Sequence, residues 1–333
     1  MKKNIDVSFV MTVYNKEYYL PSVLKALLGQ TGVKNPEYIF IDDLSTDKSV
    51  NIIREYTQGL PNVTIVANKE NRGISPRINQ GIALAKGEYT RMLDSDDIFP
   101  IDSTQKMLAL AKELNADMVY GRFSKTGKEP QQLEHETMSH DFSYSYNENA
   151  LLGVLTGRFT RMGQLIRTEV LQKAGGADER VFIQDESIPL RTAIYARGIV
   201  KIDDNVVLVP KEIGNFSGNK IQLDNDRFMA YCYAILDNPS LSEDALKLMY
   251  LRAVSAYWKY VKKTKFCPYL RKAFFKYLGC KLRPSLPDFA YLKEMQADFL
   301  KLPHIRRVVN PLHALEKKII TKKLRAKTQS FYC

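Results

Sequence analysis

The sequence predicts an α/β fold with a largely parallel sheet, and three observations predict it. Short apolar runs alternate with helical patterns through the first half of the chain, the arrangement that lays parallel strands under covering helices. Two acidic turns directly follow apolar runs, at Asp42-Asp43 and at Asp94-Ser95-Asp96-Asp97; strand ends are where open α/β sheets place their ligands. Beyond Asn219 the pattern turns wholly helical. An α/β unit over residues 1–218 and a basic helical region over residues 219–333 are therefore expected.

Residues 7–13 read as a buried strand and residues 18–28 as a helix with Pro21 in its first turn, where a missing N–H loses no bond. Tyr38-Ile39-Phe40-Ile41 is a second strand. Ser45, Thr46 and Asp47 then offer capping oxygens to a helix through Ile52, Ile53 and Tyr56. Residues 63–66 make a third strand, and a helix over Ile78, Ile82 and Leu84 stops at Lys86-Gly87, a basic last turn and a glycine. Residues 89–93 form a fourth strand running straight into the second acidic turn, followed by a helix over 102–114 and a strand at Met118-Val119-Tyr120. Residues 124–149 lose periodicity and read as a long loop. Order returns with Gly163-Gln164-Leu165-Ile166, a helix over 168–173, the Gly175-Gly176 break and the apolar run Val181-Phe182-Ile183. A helix over 185–196, a strand at 206–209 and helices including 245–261 and 313–324 complete the reading.

A chain of 333 residues, 45% hydrophobic and 26% charged, can build a sizeable core, which excludes wholesale disorder. Its net charge of +12 is localised: up to Ala230 there are 28 Lys and Arg against 30 Asp and Glu, and from Tyr231 onward 21 against 7. That last third either attracts anionic partners, such as phosphorylated lipid headgroups, acidic glycans or nucleic acid, or presents solvated helix faces. Cys232, Cys267, Cys280 and Cys333 lie far apart with no C-x-x-C spacing, so zinc spacing is absent and free thiols in a reducing cytoplasm are expected. The N-terminus has no apolar h-region, and no run reaches the roughly 18 apolar residues of a membrane span. A cytoplasmic protein, soluble or peripheral to a membrane, is the expectation.

Chemistry concentrates at the strand ends. Asp94, Asp96 and Asp97 repel one another unless a cation sits among them, and oxygen ligands suit Mg²⁺ or Mn²⁺; a helix-capping acidic turn is the plainer alternative. Asp43 could accept from the N–H of a nucleobase, with Thr12, Tyr14 and Asn15 flanking it at the end of the first strand, although strand-to-helix turns use the same residue types. Arg72 and Arg77 stand before and within a helix, where a phosphate would be welcome, though one of the two is expected to be an ordinary surface arginine. Asp185 and Glu186 open a helix, with Arg191 six residues after Asp185. An acid there is a general base or only a cap, and residue physics alone prefers the cap.

Taken in order, these pieces resemble family two of the glycosyltransferases, with the GT-A fold. The resemblance covers residues 7–209. It rests on the opening Val-Tyr-Asn with Glu17, the Asp-Asp-x-Ser-Thr-Asp turn, the stretch from Asn71-Arg72-Gly73 to Gly87-Glu88-Tyr89, and Leu-Asp-Ser-Asp-Asp. It implies that Thr12, Asn15 and Asp43 hold the nucleoside of a nucleotide-sugar donor, with Tyr14, Arg72, Arg77 and Ser95 grouped around it. Asp94 and Asp96 match the Asp-x-Asp that holds ribose and metal, with Asp97 adjacent, so Asp96 and Asp97 are the expected ligands of Mn²⁺ or Mg²⁺. Asp185 matches the catalytic base, with Glu186 and Arg191 as secondary candidates. Two departures stand out: Leu44 where glycine is usual, and Gln184 where glutamate is usual. The processive members' Gln-x-x-Arg-Trp is absent, so transfer of one sugar at a time is implied, with inversion and with UDP as the preferred nucleotide.

The rivals lack their own signatures. Tyr14-Asn15-Lys16-Glu17 stands where a dinucleotide oxidoreductase needs Gly-x-Gly-x-x-Gly, and a sugar nucleotidyltransferase would want a Gly-rich basic first loop. A purely binding role through the basic last third is the nonenzymatic alternative, but no nucleic-acid motif accompanies it. The combined expectation is an enzyme of cell-surface glycan assembly, of lipopolysaccharide or capsule type. It would use a carbohydrate or lipid-linked acceptor, with Lys317, Lys318, Lys322, Lys323 and Arg325 leaning on anionic lipid.

Overall fold

A computed structural model describes residues 5–157, 159–211, 220–302 and 305. The described strands form one sheet: β1 (Val7–Val13), β2 (Glu37–Asp42), β3 (Val63–Ala67), β4 (Tyr89–Asp94), β5 (Met118–Lys125), β6 (Tyr144–Asn147), β7 (Gln164–Arg167) and β8 (Ile199–Val209), ordered β3-β2-β1-β4-β7-β5-β8-β6. The pairs β3-β2, β2-β1, β1-β4 and β5-β8 are parallel; β7 runs antiparallel between β4 and β5, and β6 antiparallel at the edge. The mostly parallel sheet expected from the sequence is present.

Helices α1 (Leu20–Leu28), α2 (Ser49–Thr57), α3 (Ile74–Leu84), α4 (Ser103–Glu113), α5 (Ala150–Thr156), α6 (Thr168–Lys173) and α7 (Ser187–Ala193) accompany the strands. The strands' period of two sorts side chains into two cores. Leu93, Val119 and Leu165 pack with Phe9, Leu24, Leu27 and Leu108 on one face. Their neighbours Met92, Met118 and Ile166 pack on the other.

That second core also receives the later helices, α8 (Lys220–Asp237), α9 (Glu243–Thr264), α10 (Lys272–Leu282) and α11 (Phe289–Leu300), through Phe228, Trp258, Cys280 and Phe299. The sheet and the helical region thus share one apolar cluster. The border expected between residues 218 and 219, the helix expected over 313–324, and Lys317, Lys318, Lys322, Lys323 and Arg325 lie outside the described residues. No described helix is long and apolar enough to cross a membrane. The described cysteines, Cys232, Cys267 and Cys280, are free.

Two readings of the sequence need correction. The segment 124–149 contains β6, paired with β8 through Tyr144↔Ile202 and Asn147↔Ile199. All four of its residues are exposed, so no alternation betrays it. The strand read at 206–209 begins seven residues earlier, at Ile199, because polar Lys201, Asp203, Asp204 and Asn205 interrupt its apolar run.

Candidate active site

The register fixes the site's geography. Val13 lies level with Asp42 and Thr12 level with Asp94, so the carboxyl ends of β1, β2 and β4 finish in one row. Everything that follows these strands emerges on that edge.

Asp43 follows β2 directly and is buried, with both carboxylate oxygens bonded and Oδ2 able to accept once more. Oδ1 accepts from the Arg72 N–H at 2.9 Å and from Arg77 Nε at 2.6 Å, and Oδ2 accepts from the Gly73 N–H at 2.8 Å. Gly73 has φ +83, a backbone that glycine adopts without strain. Arg77 is buried on α3, and its remaining nitrogens donate to the Glu70 carbonyl and Gln80 Oε1. Arg77 therefore orients Asp43. Arg72 serves Asp43 through its backbone, while its side chain stays half-exposed beside Glu70.

The turn after β1 is stitched to the turn after β2. The Asn15 N–H donates to Ser45 Oγ at 3.0 Å and Asn15 Oδ1 accepts the Thr46 N–H at 2.8 Å. The Lys16 N–H donates to Ser49 Oγ, the Glu17 N–H to Asp47, and the Lys48 N–H to Glu17. Of the three expected caps, Asp47 alone reaches α2, accepting the Ser49 N–H at 2.9 Å; Ser45 and Thr46 are spent on Asn15. Thr12 is half-buried on the same edge, and Tyr14 is exposed.

Asp94 ends β4. Arg161, from the loop ahead of β7, donates to both of its oxygens, at 2.6 and 2.7 Å. Asp96 pairs with Lys16 Nζ at 2.5 Å. Ser95 and Asp97 are buried. Burial first, then the charges of Asp94 and Asp96, push the Asp97 carboxyl well above the usual range, against weaker pulls from Arg161 and Lys16. Burial disfavours the Arg161 charge, yet Asp94, Asp185 and Asp97 together outweigh it and hold the guanidinium charged. Three carboxylates from two segments, the turn after β4 and the start of α7, thus bear on one arginine.

Asp185 stands just ahead of α7, half-buried, and that helix has no side-chain cap. The cap preferred on residue physics is not made. Burial raises the Asp185 carboxyl above its ordinary range; Arg161 opposes, and Asp94 and Glu186 reinforce. Glu186 is committed elsewhere, accepting from Arg227 Nε at 2.6 Å and from the Tyr231 hydroxyl at 3.1 Å, both on α8. Gln184 is buried, and its Nε2 donates to Ser75 Oγ and to the Asp178 and Val181 carbonyls. A carboxylate could donate to none of these, which accounts for the amide at this position. Arg191 lies apart from the cluster: it donates to the Gly176 and Ala174 carbonyls and faces Asp178 at 3.6 Å, bracing the Gly175-Gly176 turn.

The fold thus brings Thr12, Tyr14, Asn15, Asp43, Asp94, Ser95, Asp96, Asp97 and Asp185 to one edge and leaves Arg191 aside. Sequence reasoning missed the roles of Lys16, within the turn after β1, and of Arg161, a single cation in an unremarked loop. It also missed Arg252 of α9, which donates to the Leu155 and Gly157 carbonyls at 2.7 and 3.2 Å and so steadies the loop that carries Arg161.

The family model for Glycosyl transferase family 2 matches residues 8–175, from β1 through α6. The chain belongs to this family. It spans only part of the length of several of its relatives, which include proteins of bacterial teichoic acid biosynthesis. It is 41% identical over 96 residues to the minor teichoic acid biosynthesis protein GgaB of Bacillus subtilis, a match covering 28% of this chain but only 11% of that one. It is 26% identical over 233 residues to glycosyltransferase GlyG of Streptococcus pneumoniae, covering 65% of this chain and 74% of GlyG. In fold it is similar to S. aureus TarS residues 1–349, solved in complex with UDP-GlcNAc, with a TM-score of 0.62 at 17% identity over 89% of both chains. The GT-A fold and the helical C-terminal region expected from the sequence are both present.

Proposed function

We propose that this glycosyltransferase moves one sugar from a UDP-sugar to a hydroxyl of a cell-surface or lipid-linked glycan, with inversion and with Asp185 as general base. The convergence of Asp94, Asp97 and Asp185 on Arg161, on the edge that also carries Asp43, is the observation that carries this reading. The UDP-GlcNAc complex of TarS supports the choice of nucleotide, and the teichoic acid role of GgaB supports a surface polymer as acceptor.

Mn²⁺ or Mg²⁺ belongs to the proposal. Among the described residues no group of three or more His, Cys, Asp and Glu is arranged to hold a metal by itself. Such ions commonly take one or two carboxylates and complete their shell with substrate phosphates and water. Asp96 and Asp97 fit that partial set: all donors are oxygens, and Asp97 is a buried carboxylate crowded by two others. A bound ion would neutralise charge on the leaving diphosphate.

The chain's own residues supply the rest. Asp43, held by Arg77 and two backbone N–H groups, faces the nucleobase with a fixed acceptor. Asp185, made a stronger base by burial, takes the acceptor hydroxyl's proton as that oxygen bonds to the anomeric carbon. The bond from that carbon to the diphosphate oxygen breaks on the opposite side, and UDP leaves. Lys16 and Arg161 keep positive charge beside that oxygen. Positioning and charge supply most of the acceleration because the donor already carries a good leaving group.

Purified full chain assayed for UDP release against a panel of UDP-sugars, with and without Mn²⁺, tests the reading. Release that needs the ion and disappears in Asp96→Ala supports it. Release unaffected by chelation, by Asp96→Ala and by Asp185→Asn would sink it.

A further inference from the structure

Helix α10 is apolar on two sides, and only one of them is used. Ala273 and Cys280 are buried, and Phe274 and Tyr277 lie 5.3 and 6.1 Å from the Trp258 ring of α9. Phe275, Leu278 and Leu282 stand at the i, i+3, i+7 spacing of a second stripe and are exposed, by 60% at Phe275 and 78% at Leu282. The turn leading into the helix extends this surface. Phe266 and Leu270 are 85% and 79% exposed, and Tyr269, Phe274 and Phe275 follow one another with ring centroids 5.3 and 5.4 Å apart.

Within the segment that carries this surface the charge has one sign. Between Asp244 and Asp288 the chain has eleven Lys and Arg and no acidic residue. Lys263, Lys272 and Lys276 borrow carboxylates from Asp224, Glu294 and Asp288. Lys281 and Arg283 flank the stripe with no ion-pair partner among the described residues. Exposed aromatic and aliphatic side chains rimmed by cations on a short amphipathic helix match an anionic bilayer surface: the apolar stripe enters the acyl boundary while the cations meet lipid phosphates.

We propose that the face of α10 with its preceding turn, from Phe266 to Arg283, docks this glycosyltransferase on an anionic lipid membrane. Charge argues against the other occupants. A second copy would bring like charge against like. The tail beyond residue 305 carries eight Lys and Arg and one acidic residue, so it repels the same rim. Docking here also bears on the site. Trp258, which supports α10, lies on the helix whose Arg252 holds the carbonyls at the start of the Arg161 loop, so α10 and that loop are braced by the same helix.

The test is sedimentation of the full chain with phosphatidylglycerol–phosphatidylcholine vesicles and with pure phosphatidylcholine vesicles. It uses wild type, the triple variant F275S/L278S/L282S, the charge variant K281E/R283E, and a tail variant with Lys317, Lys318, Lys322 and Lys323 changed to Gln. Binding that requires phosphatidylglycerol, weakens with salt, and falls about tenfold or more in the triple variant is expected. The charge variant should also bind less, and the tail variant should keep most of its binding. Melting curves and UDP release from soluble donor should be unchanged in the triple variant, which separates docking from sugar transfer. Failure of the wild type to sediment overturns the proposal, as does full binding by the triple variant. So does a triple variant that only converts a dimer to a monomer.

Discussion

Arg161 reaches the tip of β4 and grips Asp94 through one nitrogen, Nη2, at 2.6 and 2.7 Å from the two carboxylate oxygens. The pair is mostly buried, and Asp97 and Asp185 bear on the same guanidinium. Removing the cation leaves several carboxylates facing one another with less to hold them. Arg161→Met is expected to cost about 3 kcal/mol of stability, the low end for breaking a buried pair because Asp94 keeps some solvent. Arg161→Lys keeps the charge but on a shorter side chain ending in a compact ammonium, so it should fold better yet lose roughly 10²-fold in kcat through misplaced carboxylates. Denaturant melts and steady-state kinetics of the two variants check this; equal kcat in wild type and Arg161→Lys would show that Arg161 is structural only.

Arg77 and Asp43 form the second buried pair, with Nε 2.6 Å from Oδ1. Here the arginine also ties the Glu70 carbonyl to α3 and bonds Gln80 one turn along the same helix. Lysine cannot make three such bonds from one nitrogen at these positions. Arg77→Lys is expected to destabilise by about 2 kcal/mol and to weaken UDP binding roughly tenfold as Asp43 loses its orientation. Calorimetric titration with UDP reads the second effect separately from the first.

Leu44 occupies φ +68, the left-handed region, with its side chain exposed. A non-glycine residue there is strained by about 1–2 kcal/mol, partly offset by the roughly 0.5–1 kcal/mol that glycine's extra freedom in the unfolded chain would cost. Leu44→Gly should therefore raise stability by about 0.5–1 kcal/mol, while Leu44→Ala, which keeps the Cβ, should not. A thermal melt in which the two variants move together would refute the strain.

These residues also show what the sequence could and could not disclose. Leu44 is visible in sequence as a departure from a family habit, and the backbone supplies the reason for the habit. Asp43, Asp94 and Asp97 are legible because each follows an apolar strand, and parallel strands end together. Arg161 was not legible, because its role depends on the antiparallel β7 entering between β4 and β5, a long-range pairing without a local signal. Asp185 was ambiguous for the opposite reason: an acid ahead of a helix has a common local role, and only the crowding with Asp94 and Arg161 sets it apart. The edge strand β6 escaped notice because both of its faces are wet.

Asp97 ties stability to pH. Its folded-state carboxyl is pushed well up by burial beside Asp94 and Asp96. Between the ordinary Asp value, about 4, and that raised value the folded state binds the extra proton, so stability falls as pH rises through this window. Asp97→Asn removes the ionisation. In chelator-treated protein the variant should melt higher than wild type at neutral pH, and the advantage should vanish below about pH 4. Parallel melting curves at all pH values would show that Asp97 is not the carboxyl under strain.

Asp185 sets the acid limb of activity under the proposed mechanism. A general base works only when deprotonated, and burial raises this carboxyl, with Asp94 and Glu186 adding and Arg161 opposing. The rate should therefore fall as pH drops through a value above the ordinary Asp range, rather than at it. Asp185→Asn should lower kcat by about 10²–10⁴ and flatten that limb. Glu186→Gln provides the contrast. It weakens the bond to Arg227 and the acceptance from Tyr231, so it should lower the melting temperature but keep an acid limb. If the limb instead disappears in Glu186→Gln and persists in Asp185→Asn, the base is Glu186, and the Arg227 pair is part of the chemistry.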